Sequence, residues 1–240
     1  MSPHGEYTMK HILLIFTLLF CALHAEVPAP LMELELTGGN AAAIKDKTGN
    51  CKVAVATPEK INWAEGPEGK TLCFNGDKTP PRPMVAVTLP KDFNLTKGFT
   101  FYTQFKTAED YNRKTRYQLF QYGSGADTIT GCSLFLYWNL ITCRFGTQSK
   151  KSAATPATFP LQANTWYTCA LTYDGKELII YVNGKALTNP IPAEIPENPR
   201  NTLTIGTQGA NGAGYGFKGI ISKAILYPRP LTPEEISVLD

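Results

Sequence analysis

The sequence predicts an all-β protein, an antiparallel two-sheet jelly-roll sandwich with a short C-terminal helical turn. The first indication is the stretch from Trp166 to Lys185, which alternates residue character on both sides of Asp174-Gly175, a dipeptide typical of tight hairpin turns. The second is that short runs with the same two-residue period recur along the chain. The third is composition, since 20 glycines and 18 prolines among 240 residues favour a turn-rich β protein over a helical one.

Each predicted strand is marked by alternation, by a turn at its end, or by both. In chain order the strands are Leu31 to Leu36, Lys70 to Gly76, Met84 to Leu89, Phe99 to Lys106, Tyr117 to Tyr122, a hairpin from Cys132 to Phe145 with its turn near Trp138-Asn139, the hairpin from Trp166 to Lys185, Leu203 to Gly206, and Lys218 to Tyr227. Thr232 then begins the helical turn, because an N-cap threonine followed by proline and two acidic residues is typical of a helix start.

Residues 1–25 predict a secretory signal peptide. Lys10 and His11 precede an apolar run, Ile12 to Phe20, that is too short to span a bilayer, and Ala25 offers a small residue at the cut. We therefore expect one folded domain over residues 26–240 in a protein that is secreted, periplasmic or on the cell surface. Contact with the membrane is expected through the export signal alone. A lipid anchor on Cys21 is the alternative to ordinary cleavage.

Charge and histidine content exclude several classes of function. A net charge of +3 over 240 residues argues against nucleic acid as the main partner, since phosphate binding needs a clustered basic face. The densest basic run, Arg113 to Arg116, predicts a solvated loop. All three histidines lie at or before position 24, so the predicted domain has none. This excludes Ser-His-Asp triads, other histidine-based acid–base catalysis and His-ligated zinc.

Five cysteines follow the predicted signal peptide, and export permits them to form disulfides. An odd number leaves at least one thiol unpaired or paired elsewhere. The sequence leaves open a Cys51–Cys73 bridge, and with it either Cys132–Cys143 or Cys143–Cys169. The alternative is that these residues stay reduced and act as small apolar side chains.

A family resemblance is carried by blocks spread from about Leu31 to the end of the chain. They are Asp46 to Gly49, Gly69 to Gly76, Lys97 to Lys106, Trp166 to Gly184, Leu203 to Gly206, Phe217 to Gly219 and Ala224 to Ile236. In these blocks the chain resembles the laminin G-like jelly-roll modules of the concanavalin A-like lectin/glucanase superfamily. It departs from them at Gln104, where members often have Trp, and at Ile220 to Lys223, where an acidic residue is common. The resemblance implies the fold, which hosts lectins, adhesion modules, glycosidases and lyases.

Strand parity predicts a ligand-binding face. The phenylalanines of Phe99 to Lys106 point to the core, so Tyr102, Gln104 and Lys106 point the other way, and Tyr137 and Arg144 belong to the outward sets of the next hairpin. Rings, amides and guanidinium groups are what sugars need, so these five residues are predicted to line one sheet. The alternative is an ordinary solvated surface. Trp138, at the turn tip, is expected either to be a sugar platform or to pack on a loop.

Calcium is the one cofactor that the resemblance suggests, because it recurs among the family's relatives. Asp46, Asn75, Asp77 and Asp127 are in predicted turns and offer hard oxygen ligands. Turn chemistry accounts for the same residues equally well. No other cofactor is predicted.

These observations predict an exported, non-catalytic binding module for carbohydrate or a glycosylated surface. One alternative is a glycosidase or polysaccharide lyase on the same fold. The paired carboxylates that glycosidases use are represented only by Glu33 and Glu35, on a predicted edge strand where a solvated face is the simpler interpretation. The other alternative is a structural or adhesion module with a protein partner.

Overall fold

The computed structural model describes residues 26–76, 79, 82–124, 130–146, 153–195, 201–209 and 215–240. It confirms the predicted two-sheet antiparallel sandwich with a C-terminal helix. The described part also contains one-turn 3₁₀ helices at Ala41–Ala43, Pro58–Lys60 and Leu95–Lys97. The other elements are β1 (Met32–Glu35), β2 (Lys45–Asp46), β3 (Lys52–Ala56), β4 (Asn62–Gly66), β5 (Gly69–Asn75), β6 (Met84–Thr88), β7 (Phe99–Thr107), β8 (Tyr117–Ser124), β9 (Thr130–Tyr137), β10 (Leu140–Gly146), β11 (Ala153–Thr158), β12 (Trp166–Tyr173), β13 (Glu177–Val182), β14 (Lys185–Ala186), β15 (Ile191–Pro192), β16 (Thr202–Ile205), β17 (Lys218–Tyr227) and α1 (Pro233–Leu239).

The described strands form one sheet of seven strands and one of ten. The seven-stranded sheet has the order β11-β10-β9-β8-β16-β6-β3. The ten-stranded sheet follows β14-β13-β12-β7-β17-β1-β2, with β15 beside β13 and with β5 joining β17 to β4. The long strand β17 pairs with β7, and it also pairs with both β1 and β5 at different points along its length. Sequence neighbours β7 and β8 therefore belong to different sheets, which decides how the predicted binding residues are grouped.

Turn residues set the register of the two predicted hairpins. Trp138 and Asn139 both have positive φ, 53° and 55°, which is the type I′ geometry that joins β9 to β10 with Tyr137 opposite Leu140. In the second hairpin the Oδ1 atom of Asp174 accepts hydrogen bonds from the backbone N–H groups of Lys176 (2.9 Å) and Glu177 (2.8 Å). This Asx-type turn lets β12 and β13 pair without slippage.

The core lies between the two sheets and is rich in aromatic rings. Phe101 of β7 and Phe120 of β8 meet across the sandwich with ring centres 4.0 Å apart. Phe105 and Phe217 make an edge-to-face contact at 5.9 Å. Burial of such large apolar side chains is the main stabilising term of the fold. The alternation that the sequence shows is thus the pattern of side chains that point into this layer.

Helix α1 lies on the outer face of the ten-stranded sheet and begins at a capping box. The Thr232 hydroxyl accepts a hydrogen bond from the Glu235 N–H (3.3 Å), and the Glu235 carboxylate accepts one from the Thr232 N–H (2.8 Å). Ile236 packs into a second apolar cluster with Tyr102 and with residues of β12, β13 and β17. The predicted helical turn is confirmed, and it covers the part of the outer face where Tyr102 lies, which was expected to be open to solvent.

Several short strands carry no alternation that sequence inspection could detect. Strand β4 places Trp63 opposite Leu72 of β5 and half-buried against the core. Strand β11 contains Pro156 and pairs with β10 at the edge of its sheet. No helix in the described ranges has the length and hydrophobicity to span a membrane.

Candidate ligand-binding groove

A groove of about 740 Å³ opens on the outer face of the seven-stranded sheet. Its described lining combines aromatic rings with positive charge, and it contains no aspartate or glutamate. The rings are those of Tyr117, Phe135, Tyr137 and Tyr215, and the charged groups are those of Arg82, Lys114, Arg116 and Arg144. We call this site the aromatic–arginine groove.

Pleat geometry places the floor of the groove. Along β9 the side chains of Leu134 and Leu136 are buried in the core, so Phe135 and Tyr137 point outward. Along β10 the core residues Ile141 and Cys143 alternate with Thr142 and Arg144, which point to the same outer face. The outward parity predicted for Tyr137 and Arg144 agrees with this arrangement.

Arg116 is held in a fixed orientation over the floor. Its guanidinium carbon lies 3.7 Å from the centre of the Phe135 ring and 4.9 Å from the centre of the Tyr215 ring. Phe135 is only 5% exposed although it points away from the core, as expected for a ring with a guanidinium over it. Contact with two rings makes this a cation–π arrangement that restricts the motion of a long side chain.

A buried glutamine also fixes Arg116. The Nη2 group of Arg116 donates to Oε1 of Gln118 at 3.2 Å, and Gln118 is fully buried. The Gln118 amide in turn donates to the backbone carbonyl of Leu134 at 3.2 Å. Gln118 adjoins a register shift between β8 and β9, where a bulge changes the direction of the side chains that follow. The guanidinium therefore has an ordered support on the sheet.

Exposed aromatic rings form the rim. Tyr137, Trp138 and Tyr215 are 38%, 48% and 51% exposed, unusually high values for such large apolar side chains. Tyr137 and Trp138 touch edge to face at 5.9 Å, and the Lys114 ammonium lies 5.9 Å from the Trp138 ring centre. The backbone N–H of Trp138 donates to the backbone carbonyl of Arg113 at 2.6 Å, which ties the β9–β10 turn to the loop before β8.

Arg144 supplies a second guanidinium whose polar atoms are incompletely bonded. The side chain is half-buried, and its Nε atom is buried without a hydrogen-bond partner among the described residues. Burying a charged donor without an acceptor is unfavourable. A ligand acceptor at this position would relieve that cost.

The structure divides the predicted binding residues between two faces. Tyr137 and Arg144 line the aromatic–arginine groove, and Trp138 lies beside it. Gln104 and Lys106 belong to β7 in the ten-stranded sheet, half-buried on the opposite side of the sandwich, and Gln104 accepts a hydrogen bond from Ser222 at 2.7 Å. The expectation that all five residues line one sheet is wrong, because β7 and the β9–β10 hairpin are in different sheets.

Tyr102 is the residue for which the predicted exposure fails most clearly. It points outward from β7 as its parity requires, but it is 1% exposed beneath helix α1. Its hydroxyl donates to the Leu239 carbonyl at 2.7 Å. The helix uses this ring as part of its own packing surface, so Tyr102 is unavailable to a ligand.

Arg116, Phe135 and Tyr215 also line the groove, although they are not among the residues predicted from the sequence. The basic run Arg113 to Arg116 was interpreted as a solvated loop, and its last residue instead stacks on two rings. Phe135 shares the outward parity of Tyr137, and that signal was available in the alternation of β9. Tyr215 follows a glycine-rich stretch that has no periodicity, so its position depends on tertiary contacts.

The candidate calcium residues do not converge in the described part of the chain. The Asp46 carboxylate is occupied, because it accepts hydrogen bonds from three backbone N–H groups and the Thr48 hydroxyl. Asn75 ends β5, while Asp77 and Asp127 lie outside the described residues. No group of three or more His, Cys, Asp or Glu side chains suited to a metal occurs in the described ranges. Asp46 fits a turn-stabilising role better than a metal site.

The two glutamates considered as a carboxylate pair are ion-paired on the sheet surface. Glu33 contacts Lys47 at 2.9 Å and Glu35 contacts Lys45 at 3.5 Å. They lie on β1 of the ten-stranded sheet, away from the aromatic–arginine groove.

All five described cysteines are free thiols, so the bridges left open by the sequence are not formed in the structure. Cys132 and Cys143 are core neighbours with sulfur atoms 3.4 Å apart. Cys143 and Cys169 come from different sheets, since β10 and β12 face each other across the core. Burial and the neighbouring Cys132 raise the pKa of Cys143 well above its ordinary value. The interpretation as small apolar residues accounts for these three positions.

The fold and the matched sequence blocks agree on a family. A laminin G-type family model, described as the concanavalin A-like lectin/glucanases superfamily, matches residues 84–237, more than half of the chain. The chain belongs to this laminin G-like family. No curated protein sequence matches it. The family model confirms the resemblance seen in the sequence.

Solved structures of low identity share the fold of this laminin G-like chain. The binding domain of Paraclostridial Mosquitocidal Protein 1 has a TM-score of 0.67 at 17% identity, covering 88% of this chain and 51% of that one. The binding domain of Botulinum neurotoxin DC in complex with SialylT has 0.65 at 15%, covering 88% and 50%. The same toxin domain in complex with rat synaptotagmin II has 0.64 at 15%, again covering 88% and 50%. The chain spans about half the length of these structures.

Proposed function

We propose that this laminin G-like chain is an exported, non-catalytic module that binds carbohydrate through the aromatic–arginine groove. The observation that carries the proposal is the cluster of exposed rings, Tyr137, Trp138 and Tyr215, around an Arg116 guanidinium held in place by Phe135 and Gln118. Aromatic faces cover the C–H surfaces of sugars, while guanidinium groups donate hydrogen bonds to their oxygens.

Structural neighbours support a binding role without specifying the ligand. Among them are toxin binding domains, one in complex with SialylT and one, of botulinum neurotoxin type C, described as interacting with two ganglioside molecules. This chain spans about half of those structures at low identity. The groove of this chain supplies the independent support.

A hydrolytic role is less well supported by the groove. Glycosidases of the common types place two carboxylates on either side of the scissile bond. The described lining has neither an aspartate nor a glutamate, although it has four basic side chains. Binding requires no group beyond those that line the groove.

A protein partner is the second candidate, favoured by one observation. Exposed aromatic side chains that cluster with arginine are also typical of protein interfaces, and one structural neighbour is a complex with rat synaptotagmin II. Carbohydrate binding is preferred because the lining combines aromatic rings with guanidinium groups, which suit oxygen-rich ligands.

Export is the other part of the proposal. The charged start, short apolar run and small residue before Glu26 are its support. Expression with the native N-terminus, followed by N-terminal sequencing of the extracellular or periplasmic protein, is expected to give Glu26 as the first residue. Retention of residues 1–25 on a cytoplasmic protein would contradict export.

Affinity electrophoresis and calorimetry against a panel of polysaccharides test the groove. We expect binding to at least one polysaccharide, and we expect Trp138→Ala and Tyr215→Ala each to weaken it about threefold to tenfold, since each removes an exposed stacking surface. Val238→Ala is the control, because Val238 is equally exposed but belongs to helix α1 on the opposite face. Absence of binding to every polysaccharide, or equal loss in the control, would overturn the proposal.

A further inference from the structure

The groove is lined by positive charge, which the binding of neutral sugars would not require. We infer that its ligand is an acidic polysaccharide, one whose sugar rings carry carboxylate or sulfate groups. This inference rests on the proposed carbohydrate-binding function. Basic side chains line the groove from three directions, the loop before β8, strand β10 and the segment before β6, with no acidic residue in the described lining.

For two of these cations, no carboxylate among the described residues forms an ion pair. None of the ion pairs between described residues includes Lys114 or Arg144. The Nε atom of Arg144 is buried without an acceptor among the described residues. The carboxylates in the described ion pairs have other partners: Glu33 and Glu35 of β1 pair with lysines in or directly after β2, Asp110 of the loop before β8 pairs with Lys218, and Glu235 of helix α1 pairs with Arg229. An unpaired, partly desolvated guanidinium gains most from an anionic acceptor.

The geometry suits oxyanions attached to a ring. A guanidinium presents a planar fork of donors that matches both carboxylate and sulfate oxygens. Arg116 is fixed at 3.7 Å over Phe135, so its guanidinium need not be ordered when a ligand binds, and the half-buried Arg144 lines the same groove. The exposed rings of Tyr137 and Trp138 remain available for the apolar face of a sugar.

A general basic surface does not explain the groove. The whole chain has a net charge of only +3, so the positive charge is a local feature. Single-stranded nucleic acid stacks successive bases on a row of aromatic faces. Here Arg116 contacts two of the lining rings, Phe135 and Tyr215, which interrupts such a row beyond the exposed Tyr137 and Trp138. An acidic polysaccharide fits the unpaired cations and the exposed rings of the groove better than single-stranded nucleic acid does.

The test compares charged and neutral polymers with the same backbone. Polygalacturonate is measured against its methyl ester, and dextran sulfate against dextran, by calorimetry at low and at moderate salt. We expect about a tenfold preference for the charged member of at least one pair, reduced by salt. The pair that shows the preference tells whether carboxylate or sulfate is the anion recognised.

Variants assign the preference to the groove. Arg144→Gln and Lys114→Gln are each expected to remove most of the charged-over-neutral preference, while Lys185→Gln, an exposed control on β14 of the ten-stranded sheet, keeps it. Lys114 is exposed, so its variant stays informative if Arg144→Gln unfolds. Equal affinity for charged and neutral polymers would overturn the inference and leave the proposed function intact. Tighter binding to oligo-dT than to any acidic polymer, or equal loss in Lys185→Gln, would also overturn it, and no polysaccharide binding at all would overturn both.

Discussion

The Asp46 carboxylate holds together the turn between β2 and β3. Its Oδ1 atom accepts hydrogen bonds from the N–H groups of Glu33 (2.9 Å) and Thr48 (3.2 Å), and its Oδ2 atom accepts from the Thr48 hydroxyl (2.7 Å) and the Cys51 N–H (2.9 Å). Burial alone would raise the pKa of Asp46, but these hydrogen bonds outweigh it and the pKa lies below its ordinary value. The ionised carboxylate therefore contributes stability to the folded state.

Asp46→Asn is expected to lower the free energy of unfolding by about 1–3 kcal/mol at pH 7, because an amide nitrogen cannot accept the bonds made by one carboxylate oxygen. A lowered pKa means that this stabilisation is present above the pKa of the unfolded chain and is lost as the pH falls through the folded value. Urea unfolding at pH 7 and pH 3 should thus show a smaller difference from the native protein at pH 3. Asp92→Asn, an exposed turn residue, is the matched control. A difference that is constant with pH would contradict this role.

Helix α1 is the element that distinguishes the two outer faces of the sandwich. Ile236 is 1% exposed and packs on the outward side of the ten-stranded sheet together with Tyr102, Tyr181 and Tyr227. The Arg229 guanidinium donates from Nη1 to Oε2 of Glu235 at 2.9 Å and from Nη2 to Oε1 at 2.5 Å. This adds a charged contact at the start of the helix. One face is thereby closed by the chain itself, while the aromatic–arginine groove remains open on the other.

Ile236→Ala is expected to destabilise the protein by about 2–4 kcal/mol, because it removes buried methyl groups and leaves a cavity beneath a helix of two turns. Carbohydrate affinity should stay unchanged, since the groove is on the opposite sheet. Urea unfolding and calorimetry measure the two quantities on the same sample. Val238→Ala, on the exposed side of the helix, should change neither. Loss of affinity in a folded Ile236→Ala protein would mean that the two faces are coupled.

The three core thiols report on the integrity of the whole sandwich. Cys132 and Cys143 come from the seven-stranded sheet and Cys169 from the ten-stranded sheet, and all are at most 1% exposed. Burial raises the pKa of Cys143 and of Cys169, so little of the reactive thiolate forms at neutral pH. Reagent access then requires the two sheets to separate.

Iodoacetamide labelling at pH 8 should therefore modify Cys143 and Cys169 at the rate of global unfolding. Cys73 is half-buried on the sheet surface and should react earlier, which makes it an internal reference. Peptide mass mapping across a urea series measures each site separately. Rapid labelling of Cys169 in the native protein would show that the sheets open locally. Cys132 and Cys143 joined by a disulfide in the unreduced protein would contradict the free thiols of the structure.

Local periodicity predicted most of the architecture correctly. The alternation in β9 and β10 placed Tyr137 and Arg144 on the outward side, and the Thr232-Pro233 signal placed the start of α1. These features depend on the pleat of one strand or on hydrogen bonds within one helical turn. Short strands without alternation, such as β4, could not be predicted, because they are fixed by hydrogen bonds to a neighbouring strand and not by a periodic pattern in their own sequence.

The sequence by itself determined the fold class and the parity of each long strand, since a two-residue period fixes which side chains share a face of the pleat. Tertiary structure alone decided which outward side chains meet. It put β7 and the β9–β10 hairpin in different sheets, laid α1 over Tyr102, and stacked Arg116 on Phe135. The reason is distance along the chain, because the bond from Tyr102 to the Leu239 carbonyl joins positions 137 residues apart, far beyond the reach of any local pattern.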